Sequence, residues 1–349
     1  MDELLSGLAR RFSFGPREFA SCPLYGHLCT VVAADERLLR IAAACRAGQQ
    51  PTNLLLGAVH HLLLADPARP LAEWYASIAA DPRPAEDAGP AFTEFCLEHR
   101  DELVALVSTR LVQTNEVRRA AALRLGLHAV GERSVSLVEV GASAGLLLAF
   151  DRYGYRIGDR RAGDPSSRVQ LDVEWRSDER IPDLDAIPAV TSRVGVDLHP
   201  IDPSDDEARR WLRALVWPGE EDRARQLERA LDLVAADPPR IVAGDAIDVL
   251  PELDATLAPG QPVVVFHAAT RAHVPADRRE DFDRAIAALG ERRPLHHLSL
   301  EGTGDPIPGV SGPAHVLELT GPDGSQRRIA AVDGHGEWIV PLRGEIPAG

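Results

Sequence analysis

Leu137 to Leu148, read Leu-Val-Glu-Val-Gly-Ala-Ser-Ala-Gly-Leu-Leu-Leu, constrains the fold of this chain more than any other stretch. An apolar strand runs into a turn of small residues and then into a further apolar run of helical character. This is the layout of a nucleotide-type cofactor loop. Gly141 and Gly145 reach backbone angles closed to other residues and let a ligand lie against the main chain. A helix starting after them would aim free N–H groups at that ligand.

Three chemistries use such a turn. In the S-adenosylmethionine loop of class I methyltransferases, an acidic residue near the strand end is followed by small residues at alternate positions, and Glu139, Gly141, Ser143 and Gly145 fit. The dinucleotide fingerprint G-x-G-x-x-G needs glycine where this chain has Ser143 and Leu146, and fails at both. The nucleophile elbow G-x-S-x-G is matched letter for letter, making Ser143 an acyl-transfer candidate with His267 or His273 as base and Asp245 as third member. An α/β-hydrolase, however, places several strands before its elbow, whereas the pattern upstream of Val135 is helical.

Composition removes other classes. The chain has 38 basic against 53 acidic residues, a net charge of −15, so nucleic acid and anionic membranes are disfavoured and a small-molecule substrate is expected. It contains no lysine, which excludes Schiff-base, pyridoxal-phosphate and Walker-A lysine chemistry. Cys22, Cys29, Cys45 and Cys96 lack C-x-x-C spacing and read as reduced core residues. Met1-Asp2-Glu3 is acidic where a signal peptide needs positive charge, and no apolar run is long enough to span a bilayer, so a cytoplasmic protein is expected. His60 and His61 are adjacent on a helical pattern and point about 100° apart, which predicts no metal site.

The character of the chain changes near residue 133. Before it, apolar residues recur at helical spacing, with helix starts marked by Gly15-Pro16, Gln50-Pro51 and Asp66-Pro67. Residues 1–132 read as a helical cap domain. Residues 133–349 read as an α/β domain, because strands at Val135 to Val140, Arg193 to Asp197, Arg240 to Ala243, Pro262 to His267 and Leu295 to Leu300 alternate with helical segments. Ala314 to Leu319 and Arg327 to Val332 predict a closing antiparallel hairpin. About forty residues, 151–190, look inserted, and Val169 to Trp175 within them is expected in a small hairpin over the cofactor cleft. Trp211 and Trp217 are expected to anchor a helix to the sheet.

Within this frame each strand end offers a site residue. A carboxylate ending the second strand would accept hydrogen bonds from both ribose hydroxyls; Asp197 and Asp172 compete, and Asp197 is preferred because the segment between looks inserted. Asp245, after the third strand, would lie near the adenine amino group or cap the next helix. His267, ending the fourth, is the candidate general base. Gln113, Asn115 and Glu116 precede the cofactor strand and are expected to bind substrate, with Thr114 or Asn115 capping a helix running toward Leu127.

These motifs, namely Gln113 to Glu116, Glu139 to Leu146, Asp151-Arg152-Tyr153, Gly195 to Pro200, Trp211 with Val216-Trp217-Pro218, and Gly244-Asp245-Ala246, resemble a bacterial family catalogued as domain of unknown function 2332. The resemblance covers nearly the whole chain. It implies a Rossmann-like class I methyltransferase core behind a helical N-terminal domain, with S-adenosylmethionine as cofactor and no established substrate. Family members often carry Asn after the Gly-Leu of the loop, where this chain has Leu147. A serine hydrolase using Ser143, and a non-catalytic protein binding a nucleoside ligand or a protein partner, are the alternatives.

Overall fold

The computed structural model describes residues 3–113, 115–307 and 309–342. Along the chain come α1 (Glu3–Ser13), α2 (Gly15–Glu18), α3 (Pro23–Ala34), α4 (Glu36–Ala42), α5 (Pro51–Ala65), α6 (Gly89–Glu98), α7 (Arg100–Thr109) and α8 (Arg119–Val130). There follow β1 (Ser134–Val140), β2 (Gly154–Ile157), β3 (Arg160–Gly163), β4 (Gln170–Trp175), β5 (Ala189–Asp197), α9 (Asp206–Ala214) and α10 (Glu221–Ala236). The remainder holds β6 (Ile241–Ala243), α11 (Ala246–Val249), β7 (Val263–Ala268), α12 (Arg279–Ala288), β8 (Leu295–Gly302), β9 (His315–Thr320), β10 (Gln326–Val332) and β11 (Trp338–Pro341). The chain divides into two compact units, residues 3–113 with 205–228 and residues 115–204 with 229–342.

The helical unit is organised around α5, which is buried on nearly every face: Leu54, Leu55, Leu56, Ala58, Val59 and Leu63 are all closed to solvent. Prolines in the first turns of α3, α5 and α6 start those helices where no backbone donor is lost. The expected start at Asp66-Pro67 is not found, since Asp66 closes α5 and a 3-10 turn begins only at Pro70. Asp205 caps α9 by accepting from Glu207 N and Ala208 N at 2.8 and 3.2 Å. Trp211 donates to Leu111 O at 3.0 Å, and the Trp217 ring meets Phe19 edge-on. Both tryptophans therefore anchor α9 and its following turn into the helical core, not a helix onto the sheet. All four cysteines are free thiols.

The second unit is an α/β fold around an eleven-stranded mixed sheet in the order β3-β2-β4-β11-β10-β9-β8-β7-β1-β5-β6. The segment β6-β5-β1-β7-β8 is parallel throughout, with Val138 of β1 opposite both Val194 and Val265. Such strands are covered on both faces, and β1 and β7 are buried almost throughout, β7 as the apolar run Val263 to Phe266. Phe282, Ala285 and Ile286 of α12 and Leu250 and Leu253 pack on one face. On the other, Gly126 lets α8 approach so closely that a Cβ there would stand 2.9 Å from Leu298 Cδ2. After β1 the chain forms β2, β3 and β4 at the far end of the sheet, comes back to lay β5 and β6 on one side of β1, and then places β7 on the other. The carboxyl ends of β1 and β7 therefore flank a topological switch point, where crevices open in parallel sheets.

Three expectations are corrected here. No α-helix follows the glycine turn; residues Leu147–Arg152 form a six-residue 3-10 helix that leads directly into β2. The hairpin of β9 and β10 forms, but it does not close the sheet, because β11 pairs with β10 and then with β4. Val169 to Trp175 does not fold over the cleft either. As β4 it lies parallel to β2 and β11, six strands from β1, where its alternating burial suits an outer part of the sheet. No helix among the described residues is long and apolar enough to cross a membrane.

Candidate functional site at the carboxyl end of β1

The turn after β1 is built from left-handed backbone: φ is +78° at Gly141, +50° at Ser143 and +74° at Gly145. Gly141 N and Ala142 N bond to Val196 O, tying the turn to β5. The space a Cβ would need at the two glycines is filled by the protein, by Thr270 Oγ1 at 2.3 Å for Gly141 and by Pro239 Cγ at 2.5 Å for Gly145. Both glycines are thus required by packing as well as by conformation.

Asp197 stands at the end of β5 beside this turn. Its Oδ2 accepts from Ser143 N and its Oδ1 from His199 N, both at 2.7 Å. It is half-buried, and each oxygen retains acceptor capacity for a ligand hydroxyl. The neighbouring Leu198 is 64% exposed, an apolar surface directly beside the carboxylate that the sequence did not single out. Asp172 is elsewhere, exposed on β4 and paired with Arg156 at 2.7 Å.

Glu139 sits two residues before the turn and is shut off from solvent. Burial, reinforced by the nearby Asp197, pushes its carboxyl well above the usual carboxylate range, against the pull of a backbone bond at Leu148. Its Oε2 has no hydrogen-bond partner. Burial thus disfavours its charged form below the glycine turn.

Asp245, Asn115 and Glu116 have partners within the protein. Asp245 caps α11, accepting from Ile247 N at 3.0 Å, and pairs with Arg278 at 2.7 Å, so the helix-cap reading is the one observed. Asn115 donates to Ser143 Oγ at 3.1 Å, making it a brace of the turn rather than a helix cap; α8 starts at Arg119 and runs to Val130, past Leu127. Glu116 is buried and accepts from Arg118 N. Gln113 belongs to the helical unit, and Thr114 lies outside the described residues.

His267 is enclosed at the end of β7. Its side chain is fully enclosed between Phe282 and His297, with Nδ1 2.6 Å from Glu301 Oε1. Enclosed in this way it packs at the strand end, and its Nε2 has no hydrogen-bond partner. Glu301, at the end of β8, also accepts from Thr270 N and Arg271 N at 2.9 Å. Despite the opposing cost of burial, these three donors hold its carboxyl down at about 2. The motif reading missed Glu301, although an acid ending a parallel strand is the signal that identified Asp197. The triad of Ser143, His267 and Asp245 does not form, since the carboxylate partner of His267 is Glu301.

The chain belongs to a family described as an uncharacterized protein conserved in bacteria (DUF2332), whose model matches residues 10–340. No curated protein matches it.

Proposed function

We propose that the sheet unit is a Rossmann-like, class I methyltransferase fold that binds S-adenosylmethionine beside the β1 turn and methylates a small molecule. The observation that carries this reading is the placement of a left-handed glycine turn and a half-buried carboxylate, Asp197, on adjacent parallel strands beside the β1/β7 switch point. The residues fit a nucleoside: Asp197 has the lone pairs to receive ribose hydroxyls, exposed Leu198 offers a face to the base, and Glu139 has an unpartnered oxygen. When bound, the cofactor supplies an electrophilic methyl group. The chain's own contribution is alignment, the Gly141 to Gly145 turn and Asp197 fixing the nucleoside so that an acceptor meets the methyl in line. A net charge of −15 favours a small acceptor over nucleic acid or an anionic membrane, and the same features suit a cytoplasmic enzyme.

Calorimetric titration with S-adenosylmethionine and S-adenosylhomocysteine tests it. Micromolar binding of both is expected. A folded protein that binds neither would overturn the proposal.

The positive φ of Ser143 within G-x-S-x-G favours a second reading, a nucleophile elbow. Against it, Ser143 Oγ is held by Asn115, and residues 3–113 and 115–133 contain no strand. A fluorophosphonate probe is expected to leave Ser143 unlabelled; labelling lost in Ser143→Ala would put the hydrolase first.

A further inference from the structure

The helical unit contains a nucleophile and base that the sheet site does not use. His60, on α5, is 1% exposed. Its Nδ1 lies 3.0 Å from Ala214 O, and its Nε2 lies 2.7 Å from Ser77 Oγ. A carbonyl oxygen has no proton to give, so Nδ1 carries the ring proton and Nε2 is the acceptor, receiving the Ser77 O–H. The main chain of α9 thereby fixes the tautomer, the task a carboxylate performs in Ser-His-Asp sites. Burial lowers the imidazole to about 4, so at neutral pH it is uncharged, a weak base that holds the Ser77 proton only in passing before the departing oxygen takes it.

Such a bond inside a solid core would be structural only. This one opens on a pocket of about 80 Å3 lined by His60, Ser77, Arg213, Trp217, Glu221 and Arg225, among others. Two of the lining residues, Arg213 and Glu221, each also carry a side-chain atom, Nε and Oε1, that is shielded from solvent and has no hydrogen-bond partner. The pocket thus sets basic and acidic side chains beside the His60–Ser77 pair. Its volume limits the part that enters to a few heavy atoms.

We propose that Ser77 and His60 form an acyl-transfer site for short-chain carboxylic esters, distinct from the cleft at β1. Ser77 Oγ bonds to the ester carbonyl carbon as its proton passes to His60 Nε2. The carbon–alkoxide bond then breaks, and the departing oxygen takes that proton. Water repeats the sequence, releasing the acid and restoring Ser77. Arg213, which lines the pocket, supplies positive charge toward the carbonyl oxygen as it gains charge.

The full chain incubated with p-nitrophenyl acetate, followed by intact-mass and peptide mass spectrometry, tests this. One acetyl group is expected on the peptide containing Ser77, with matching release of nitrophenolate. Ser77→Ala should remove the adduct, Ser77→Cys should restore one, and Ser143→Ala should leave it unchanged. His60→Gln, checked for folding by circular dichroism, should slow acylation by about 100-fold or more. Absence of an adduct on Ser77, or equal acylation in folded His60→Gln, would overturn the assignment. Either outcome is independent of S-adenosylmethionine binding.

Discussion

Acidification from pH 7 to 4 is expected to cost this protein several kcal/mol of stability, well before its carboxylates are fully protonated. The cause is burial of neutral histidine in each unit. His60 is held at about 4 and His297 at about 3, in both cases chiefly by loss of solvation. Both groups have folded pKa values below the unfolded value of 6.5. The unfolded chain therefore binds protons that the folded chain refuses, and stability falls as the pH drops below 6.5. For each residue the loss ends only below its folded pKa. By pH 4 each contributes a loss of roughly 3 kcal/mol, against a typical total stability of about 5–15 kcal/mol. Urea unfolding at pH 7, 5.5 and 4.5 should show midpoints moving down with pH, and His297→Gln should flatten the trend. A pH dependence unchanged in both His60→Gln and His297→Gln would mean that neither site matters. Glu301 acts in a lower window. Its depressed pKa adds stability above the unfolded value of 4.5, and that stability is lost as the pH falls toward 2.

Replacement of Asp197 by alanine is the second large effect. The carboxylate accepts from Ser143 N and His199 N at 2.7 Å, so the variant leaves two backbone donors without their partner and frees the turn after β1. Because the site is half-open to water, the stability loss should be about 2 kcal/mol rather than the full value of two charged hydrogen bonds. S-adenosylmethionine affinity should fall by about 100-fold or more, since the variant loses both the ribose acceptor and the shape of the turn. Asp197→Asn keeps one acceptor oxygen and should fall between. Wild-type affinity in a folded Asp197→Ala protein would remove the carboxylate from the cofactor site.

The parts of this molecule legible in its sequence are those governed by local pattern. The five parallel strands lie near the expected positions, most plainly β1 and β7, which are buried almost throughout. Asp197 is found at the turn for the same local reason, as the acid that ends such a run. Partners brought in from elsewhere were not legible. Nothing near Val169 to Trp175 indicates that β4 pairs with a strand more than 160 residues later. The helix expected after Gly145 was read from apolar spacing alone. Its place is taken by a short 3-10 turn, because the chain must enter β2 at Gly154, leaving Tyr153 OH bonded to Leu146 O at 2.6 Å. His267 could not be judged from its position at a strand end, because what closes it off is α12 and the His297 ring.

The pairing of β4 with β11 also orders events in time. On a ribosome, β1 to β4 emerge long before Trp338 to Pro341, so β2, β3 and β4 wait as a small sheet with the free side of β4 unpaired until those last strand residues arrive. Pairings so distant in sequence form late and slowly. During that interval the exposed edge is a docking line for another nascent chain, and the protein's yield in a cell would depend on how quickly the final strand is delivered to cover it.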